Sequence, residues 1–423
     1  MLSDAELLLG LGRHLGAYTI STAHAAFENL HLSGQIYEMA WRLRDSQLST
    51  AARVQAIGVE AHIGGRALLR DVLPVMEQLG WVECRLDPAS GTLLAVEALI
   101  PPNQQLISDA KRLVDVLMAT PVERAALELL RSTSRQPLTV TSALETATDY
   151  GEEAAEDALR HLVAIDLVRR IEVEVDRPVV FNPNIWAGDP ALAKAALRAE
   201  DARANKEVGA LIEEVAAMPG IPEKSVQSTE KKWVDFAVSQ GLIERSVIQT
   251  SDGSEEGFLF TPHLKRDAFG VGSSDPSGHV RQMVGSMIYA TTFATTYRLR
   301  SPGAFLNALI RDGEAGNVPN IATDYAMLEL AGTIRVESGT WEKAARMVLL
   351  QTDVAEVALD IIDSRSGTRG EVGSLQALGE QRAYSHTERE RARVAAMAGT
   401  DGEDQARLIA ALRDATSGGG FSG

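Results

Sequence analysis

The residues best suited to bind another molecule lie in the segment IPEKSVQSTEKKWVDFAVSQG, residues 221–241. The apolar residues that recur at helical spacing and are expected to face a core are Val226, Trp233, Val234 and Ala237. The side chains left facing outward near the start of the helix are Lys224, Ser225, Gln227, Ser228, Lys231 and Lys232. Ammonium groups bind phosphate, glutamine pairs with adenine, and hydroxyls contact either partner. The segment therefore predicts contact with a nucleic acid.

Further cations are expected beside this segment and on a second predicted helix. The residues that flank the following strand pair are Arg245, Lys265 and Arg266, and those before and along a helix nearer the N-terminus are His62, Arg66 and Arg70. Six of the eight lysines fall between residues 194 and 265, which makes this block the best candidate for phosphate contact. The alternative is an ordinary solvated helix face, because Glu223, Glu230 and Asp235 dilute the positive charge.

Signals of catalysis are weak. The glycines of GLGRHLG, residues 10–16, miss the dinucleotide-binding spacing, and the residues before them have a helical pattern. Walker A, HExxH and GxSxG motifs are absent from the sequence. Cys84 is expected to be a small buried residue rather than a nucleophile. Partly buried polar residues, rather than metal ligands, are expected at His14, His24 and His31. We therefore predict no catalytic activity, no metal site and no cofactor.

The composition favours a folded, cytoplasmic protein of several domains. The chain has 423 residues, of which 45% are hydrophobic and 23% charged. It contains no run of about 18 apolar residues, as a membrane helix requires, and its acidic beginning is not expected to be a signal peptide. A single cysteine excludes an intrachain disulfide. Abundant alanine and the excess of arginine over lysine indicate a bacterial source with a GC-rich genome.

The net charge of −17 argues against a protein that coats nucleic acid over its whole surface. It leaves room for one local contact surface. Residues 191–266 carry 10 basic and 12 acidic side chains, and their net charge of −2 is less negative than that of the preceding segments.

The elements that position these residues follow a pattern that occurs four times. A helix ends and a strand pair begins at Gly80, Asp166, Gly241 and Gly332. Glycine at this position lets a helix end in a left-handed conformation without a Cβ clash, and Asp166 is a weaker version. Three of the strand pairs end at Pro101, Pro183 and Pro262, because proline cannot donate a hydrogen bond to a strand ladder.

Two or three predicted helices precede each strand pair. In the second copy they cover residues 122–131, 141–147 and 152–164, and Thr139 or Thr141 can cap the middle helix. Three helices followed by a β-hairpin resemble a winged-helix domain, the helix-turn-helix with a hairpin wing. The resemblance covers most of residues 20–362. It implies a mainly α fold with small β-hairpins, in the α+β class, built as tandem winged-helix modules.

The modules are predicted at residues 1–102, 103–190, 191–266 and 267–362, followed by a flexible, partly helical tail at 363–423. The first module includes N-terminal helices, and the third begins with an Ala-rich spacer helix. The fourth begins with a Gly/Ser-rich linker at residues 267–278.

The third helix of a winged-helix domain commonly enters the major groove of DNA, and the wing contacts the backbone. The resemblance therefore implies binding of double-stranded DNA through module three, as a transcriptional regulator or an accessory DNA-associated factor. Module two is a poor DNA reader, because the carboxylates of Glu152 and Glu153 begin its third helix and would repel phosphate. The arginines of its wing, Arg169, Arg170 and Arg177, are expected to contact a backbone or to pair with Glu172 and Glu174.

A protein-interaction scaffold is the alternative function. Winged helices with acidic third helices often dock onto other proteins, and the net charge of −17 favours such a role. The partners would then be another protein, or a second copy of the chain, and no membrane. In module four, Asn317 and Asn320 are expected to form turns. The tryptophans expected in the core are Trp186, Trp233 and Trp341.

Overall fold

The computed structural model describes residues 3–16, 25–174, 177–182, 202–262, 278–294, 297–365 and 378–397. Helices predominate, and the strands form small antiparallel sheets, so the fold is of the predicted α+β class. Four units have the same order of elements, and they are unit one (28–98), unit two (121–181), unit three (202–260) and unit four (302–349). Each unit runs helix, short strand, helix, helix and hairpin, and in unit three the second helix is a single 3₁₀ turn.

The elements of the first half surround the N-terminal helix. They are α1 (Asp4–Leu15), α2 (Glu28–Leu43), β1 (Leu48–Thr50), α3 (Ala51–Glu60), α4 (Gly65–Ala67, the π-helical turn Leu68–Val72 and Leu73–Gln78), β2 (Val82–Leu86) and β3 (Leu93–Ala98). The connecting helices α5 (Asn103–Ser108) and α6 (Ala110–Val116) lead to unit two. Unit two contains α7 (Pro121–Thr133), β4 (Leu138–Thr139), α8 (Val140–Glu145), α9 (Glu152–Ala164), β5 (Arg169–Glu174) and β6 (Arg177–Phe181).

The second half contains units three and four and a C-terminal segment. Unit three has α10 (Ala202–Ala217), β7 (Ile221–Pro222), the 3₁₀ turn Glu223–Ser225, α11 (Lys231–Ser239), β8 (Glu244–Thr250) and β9 (Glu255–Phe260). Helix α12 (His279–Thr292) precedes unit four, which has α13 (Pro302–Asp312), β10 (Glu314–Val318), α14 (Ile321–Asp324), α15 (Ala326–Leu330), β11 (Ile334–Ser338) and β12 (Ala345–Leu349). The chain continues with α16 (Thr352–Ser364), β13 (Gln381–Ser385) and α17 (Thr387–Met397).

All four predicted junctions between a helix and a hairpin are confirmed. The backbone angle φ is 73° at Gly80, 55° at Asp166, 72° at Gly241 and 77° at Gly332, and each residue lies between a helix end and the first hairpin strand. The left-handed conformation ends the helix and turns the chain into the strand. The three helices predicted for the second copy are also confirmed, as α7, α8 and α9.

Each hairpin carries a third strand that the sequence patterns did not predict. The short strand at the start of every unit pairs antiparallel with the second strand of its hairpin, giving the sheet orders β1-β3-β2, β4-β6-β5, β7-β9-β8 and β10-β12-β11. The short strands have two to five residues. Such lengths are too short for an alternation of polar and apolar residues to be visible.

The C-terminal segment differs from the predicted flexible tail. Strand β13 pairs antiparallel with β8 and extends the sheet of unit three to four strands. Helix α17 packs against α11, β8 and α1. Only two of its aliphatic side chains, Ala392 and Val394, are buried. The first five residues of α17 are all polar or charged, so the helix lacks the continuous apolar stripe that identifies a packed helix.

Hydrophobic cores are shared between units. Units one and two share one hydrophobic core, and α1 crosses α2 where a Cβ on Gly12 would lie 2.8 Å from the Cα of Gly34. Gly12 therefore serves close helix packing. Helix α12 is buried in the core of unit four, which also includes Ile248 and Phe258 of unit three.

Several predicted features need correction or lie outside the described residues. Trp341, predicted in the core, is 48% exposed, and its indole N–H donates to the carbonyl of Asn317. Asn317, predicted to form a turn, instead lies in strand β10, which pairs with β12, whereas Asn320 lies in the turn before α14, as predicted. The features outside the described residues are His24, Pro183, Trp186, Lys265, Arg266 and residues 267–277 of the linker. Among the described helices, none has the length and apolar character needed to cross a bilayer.

Candidate nucleic-acid and protein interfaces

The lysine-rich segment of unit three begins its helix later than predicted. Helix α11 begins at Lys231, so Ser225, Gln227 and Ser228 lie in the connection before it. The Oγ atoms of both serines are buried, and the backbone amides of Gln227 and Ser228 donate to the carboxylate of Glu214. The expectation that both serine hydroxyls face outward is therefore wrong. Gln227 is exposed, as predicted.

The lysines of this segment are exposed, but each forms an ion pair within the chain. The ammonium nitrogen of Lys224 lies 2.7 Å from Glu256, and that of Lys231 lies 2.8 Å from Glu223. Lys232 pairs with the neighbouring Glu230 at 2.9 Å. The Lys232 pair is exposed on both sides and contributes about 0–1 kcal/mol, whereas the carboxylate partners of Lys224 and Lys231 are largely buried. All three pairs reduce the positive potential that a phosphate would meet.

Arg245 points into the protein rather than outward from the hairpin. Its guanidinium lies 2.8 Å from Glu223 and 3.2 Å from Glu390 of α17, and its side chain is only 13% exposed. Arg245 was predicted to flank a DNA-contacting hairpin. In the structure it instead attaches the C-terminal helix to unit three.

The predicted cations of unit one are placed differently. His62, Arg66 and Arg70 are all exposed at the start of α4. Within the described residues, neither arginine lies within ion-pair distance of a carboxylate. Leu69, between them, is 42% exposed. Of the predicted DNA-binding residues that the structure describes, these two arginines alone combine exposure with an uncompensated positive charge.

Unit two presents an acidic face that is larger than the sequence suggested. The exposed carboxylates on α8, on the connection that follows it and on the start of α9 belong to Glu145, Asp149, Glu152, Glu153 and Glu156. No cation of the described chain lies within ion-pair distance of any of the five. We refer to these residues as the acidic face. The pair of glutamates that begins α9 was recognisable in the sequence, whereas the contribution of α8 depends on how the two helices are folded together.

The hairpin of unit two is fixed to unit three. The Arg169 guanidinium donates to the Gln240 side chain at 3.0 Å and to the Ser239 carbonyl at 2.7 Å. Arg169 is therefore buried between the units, whereas Arg170 is exposed. The side chains of Glu172, Glu174 and Arg177 are outside the description, so their predicted pairing stays a prediction.

The third helix of unit four is covered by unit one. The Arg42 guanidinium donates to the carbonyl of Leu330 at the end of α15, at 3.1 Å. Arg53 of α3 lies 3.5 Å from Glu329. Helix α15 is thus part of an internal interface and is not free to enter a DNA groove.

Buried ionisable groups join unit one to α1 and to the C-terminal segment. Glu38 lies 2.8 Å from both Arg13 and Arg42, and His386 lies 3.7 Å from the same carboxylate. Burial alone would raise the pKa of Glu38, but the two guanidinium groups hold it well below its usual value. Burial lowers the pKa of His386 well below its usual value. The network joins α1, α2 and the residue that precedes α17.

No group of three His, Cys, Asp or Glu residues in the described ranges could hold a metal ion. Cys84 is half-buried, and burial, together with the negative charge of Glu77, raises the pKa of its thiol to about 11. This environment disfavours the thiolate. His14 is buried, and its Nε2 lies 2.5 Å from the Ile165 carbonyl, which agrees with its predicted role as a buried polar residue.

A scan against protein-family models, a search of curated proteins and a search of solved structures each gave no match to this chain. The functional argument therefore rests on the geometry and charge of the described surfaces.

Proposed function

We propose that the four units are tandem winged-helix modules and that the chain is a protein-interaction scaffold, a subunit of a larger assembly. The order helix, strand, helix, helix and hairpin in all four units supports the first part. So does the pairing of each short strand with the second strand of its hairpin, which closes a small sheet against the helices.

The scaffold role is supported by three of the four third helices. Helix α15 is covered by unit one, and α11 is packed against α17 with its lysines paired to carboxylates. Helix α9 presents carboxylates where a DNA-binding helix needs cations. The observation that carries the proposal is the acidic face, whose five exposed carboxylates lie on α8, α9 and the connection between them, with no cation of the described residues within ion-pair distance. Its partner would present a basic surface, because complementary charge speeds association and selects partners.

Charge reversal on the acidic face tests this role. The chain is expressed with a tag in its native host, and copurifying proteins are compared between the wild type and the Glu152→Lys, Glu153→Lys double variant. We expect the variant to lose its partner, with an affinity at least ~10-fold weaker, because like charges then face each other.

The matched control carries Glu342→Lys and Glu356→Lys, which change the net charge equally at exposed positions of unit four and α16. The control should keep the partner. Equal retention by both variants, or equal loss, would show that the acidic face does not select it.

Local DNA contact is a second candidate, and the exposed, unpaired Arg66 and Arg70 on α4 favour it. The mechanism would be neutralisation of a few phosphates by unit one, with the other units setting spacing. If it operates, binding to random duplex DNA falls steeply between about 50 and 200 mM salt. The Arg66→Glu, Arg70→Glu variant should abolish binding, while Lys231→Glu with Lys232→Glu should change it little.

The measurement is fluorescence anisotropy of a labelled duplex at both salt concentrations. Absence of binding at about 50 mM salt would eliminate DNA contact and leave the scaffold role. Loss of binding only in the lysine variant would move the contact back to unit three.

A further inference from the structure

A cavity of about 530 Å³ lies where three parts of the chain meet. The described part of its wall comes from Gly16 at the end of α1, His62 of unit one, Gln249 of β8, and from β13 and α17. This volume is in the usual range of small-molecule sites.

One side chain of this cavity, that of Arg389, forms no ion pair within the described residues, although Glu38 and Glu60 attract its charge from a longer distance. Its Nε is buried without a hydrogen-bond acceptor, and its guanidinium lines the cavity next to Gly16. Across the described ranges, no carboxylate lies within ion-pair distance of it. Burial lowers the pKa of Arg389 to about 10, so the group stays charged at neutral pH but is held in an unfavourable environment.

The two carboxylates that attract the charge of Arg389, Glu38 and Glu60, and the adjacent Glu390 also interact with other groups. Glu390, on the same cavity wall, binds Arg245 at 3.2 Å and Arg393 at 2.9 Å. Glu60 accepts a hydrogen bond from the amide of Tyr384, and burial raises its pKa to about 7, which reduces its negative charge. Glu38 is shared by two other arginines. An isolated buried charge is costly unless something compensates it.

The other side chains of the cavity wall indicate which class of compound would compensate the charge of Arg389. Among the described residues of the wall, the ionised groups are Arg389, Arg393 and Glu390, which leave a net charge of one positive unit. A monoanion balances this charge, whereas a dianion would exceed it. A guanidinium donates two parallel hydrogen bonds to a carboxylate. The other walls include Ala392, Ala396 and Met397, which offer apolar contact.

We propose that this cavity binds a small organic monocarboxylate, with its carboxylate on Arg389 and its apolar body against the alanine and methionine wall of α17. The ligand would bridge unit one, β8 and the C-terminal segment, since each contributes to the wall. Bound ligand therefore stabilises the docking of β13 and α17, in proportion to its concentration over its dissociation constant.

The first experiment needs no ligand and measures the melting temperature of the full chain. Arg389→Met keeps the length of the side chain and removes the charge, so we expect the melting temperature to rise or stay unchanged. The control Arg393→Met removes a group that pairs with Glu255 and Glu390, and the melting temperature should fall. A fall in Arg389→Met as large as in the control would overturn the proposal, because Arg389 would then be a structural residue.

The second experiment uses sodium benzoate as the probe, at about 10 mM and constant ionic strength. We expect it to raise the melting temperature of the wild type by about 1–2 °C. Benzyl alcohol, which is neutral, should have no effect, and the shift should be absent in Arg389→Met. If that variant does not fold, Arg389→Lys replaces it, and loss of the planar fork should reduce the shift by about half or more.

Absence of a benzoate shift in the wild type, or an equal shift in the variant, overturns the proposal. A larger shift with phenyl phosphate than with benzoate also overturns it, because the site would then prefer a dianion.

Discussion

Gly332 differs from Gly80, another junction residue, in the atoms that lie beside it. All four residues adopt a left-handed backbone, but a Cβ on Gly332 would overlap the carbonyl oxygen of Arg42, whereas one on Gly80 would have no heavy atom within 4 Å. Both positions disfavour a side chain because of the positive φ, at a cost of about 1–2 kcal/mol. Only Gly332 also holds two units in close backbone contact.

Gly332→Ala should therefore lower the free energy of unfolding by more than about 4 kcal/mol, because backbone must move to admit the methyl group. Gly80→Ala is the matched control and should lower it by only about 1–2 kcal/mol. Urea unfolding followed by circular dichroism measures both. Equal losses in the two variants would show that unit four does not approach unit one as closely as described.

At the same scale, the sequence predicted which side chains of 221–241 face the core, but not which polar groups stay exposed. Val234 and Ala237 are buried, as their helical spacing indicates. Ser225 and Ser228 are not at the helix surface, because the helix begins only at Lys231. Helix starts are weakly encoded when the residues before them form a short 3₁₀ turn.

Strand β13 covers the edge of the sheet of unit three. It contacts the outer edge of β8, opposite the β9 edge, and register places Ala383 opposite Gln249. A free strand edge offers unpaired backbone groups that another strand can bind. In unit three the chain itself supplies that strand, and Glu390 secures it by pairing with Arg245 and Arg393.

Ala383→Pro should interrupt this pairing, because proline removes a backbone donor and fixes φ. Hydrogen exchange of the β8 amides should then become about 10-fold faster or more, while the β2 amides of unit one keep their rates. Arg382→Ala, at an exposed position of the same strand, is the control and should leave both rates unchanged. Unchanged β8 exchange in Ala383→Pro would show that β13 does not protect that edge.

On the scale of the whole molecule, the units are joined through buried ionisable groups as well as apolar contacts. His14 of α1 bonds to the Ile165 carbonyl of unit two, and Glu38 joins α2 to α1 and to the C-terminal segment through Arg13 and His386. Burial and the nearby cations Arg391 and Arg169 lower the pKa of His14 to about 3. Acid should therefore weaken the contacts between units.

The sign of this effect follows from proton binding. With a folded pKa of about 3, the neutral His14 ring contributes its full stability above the unfolded pKa, near 6.5, and loses it as the pH falls toward 3. Between pH 7 and pH 5 this amounts to about 2 kcal/mol. His14→Gln should therefore lose about 2 kcal/mol less than the wild type over this range, as measured by urea unfolding.

Protonation of Glu60 has the opposite effect on the free energy of unfolding, because burial raises its folded pKa to about 7. Glu60 is present in both the wild type and His14→Gln, so its contribution cancels when the two are compared. Parallel pH dependences in the wild type and His14→Gln would contradict the assignment of the effect to His14.

The sequence by itself determined the α+β class, the four helix-to-hairpin junctions and the three helices of unit two. These features are local: a left-handed residue after a helix and an alternation of polar and apolar residues act within about ten positions. The two glutamates that begin α9, Glu152 and Glu153, could be recognised in the sequence for the same reason.

Only the tertiary structure decided which charged side chains remain available to bind another molecule. Lys224, Lys231 and Arg245 pair with carboxylates of other elements, whereas Arg66 and Arg389 have no carboxylate of the described residues within ion-pair distance. The short strands, the docking of β13 and the covering of α15 also depend on partners far away in the sequence. A residue's type fixes its charge, but the potential at a surface depends on every charge nearby, and that arrangement exists only in the folded chain.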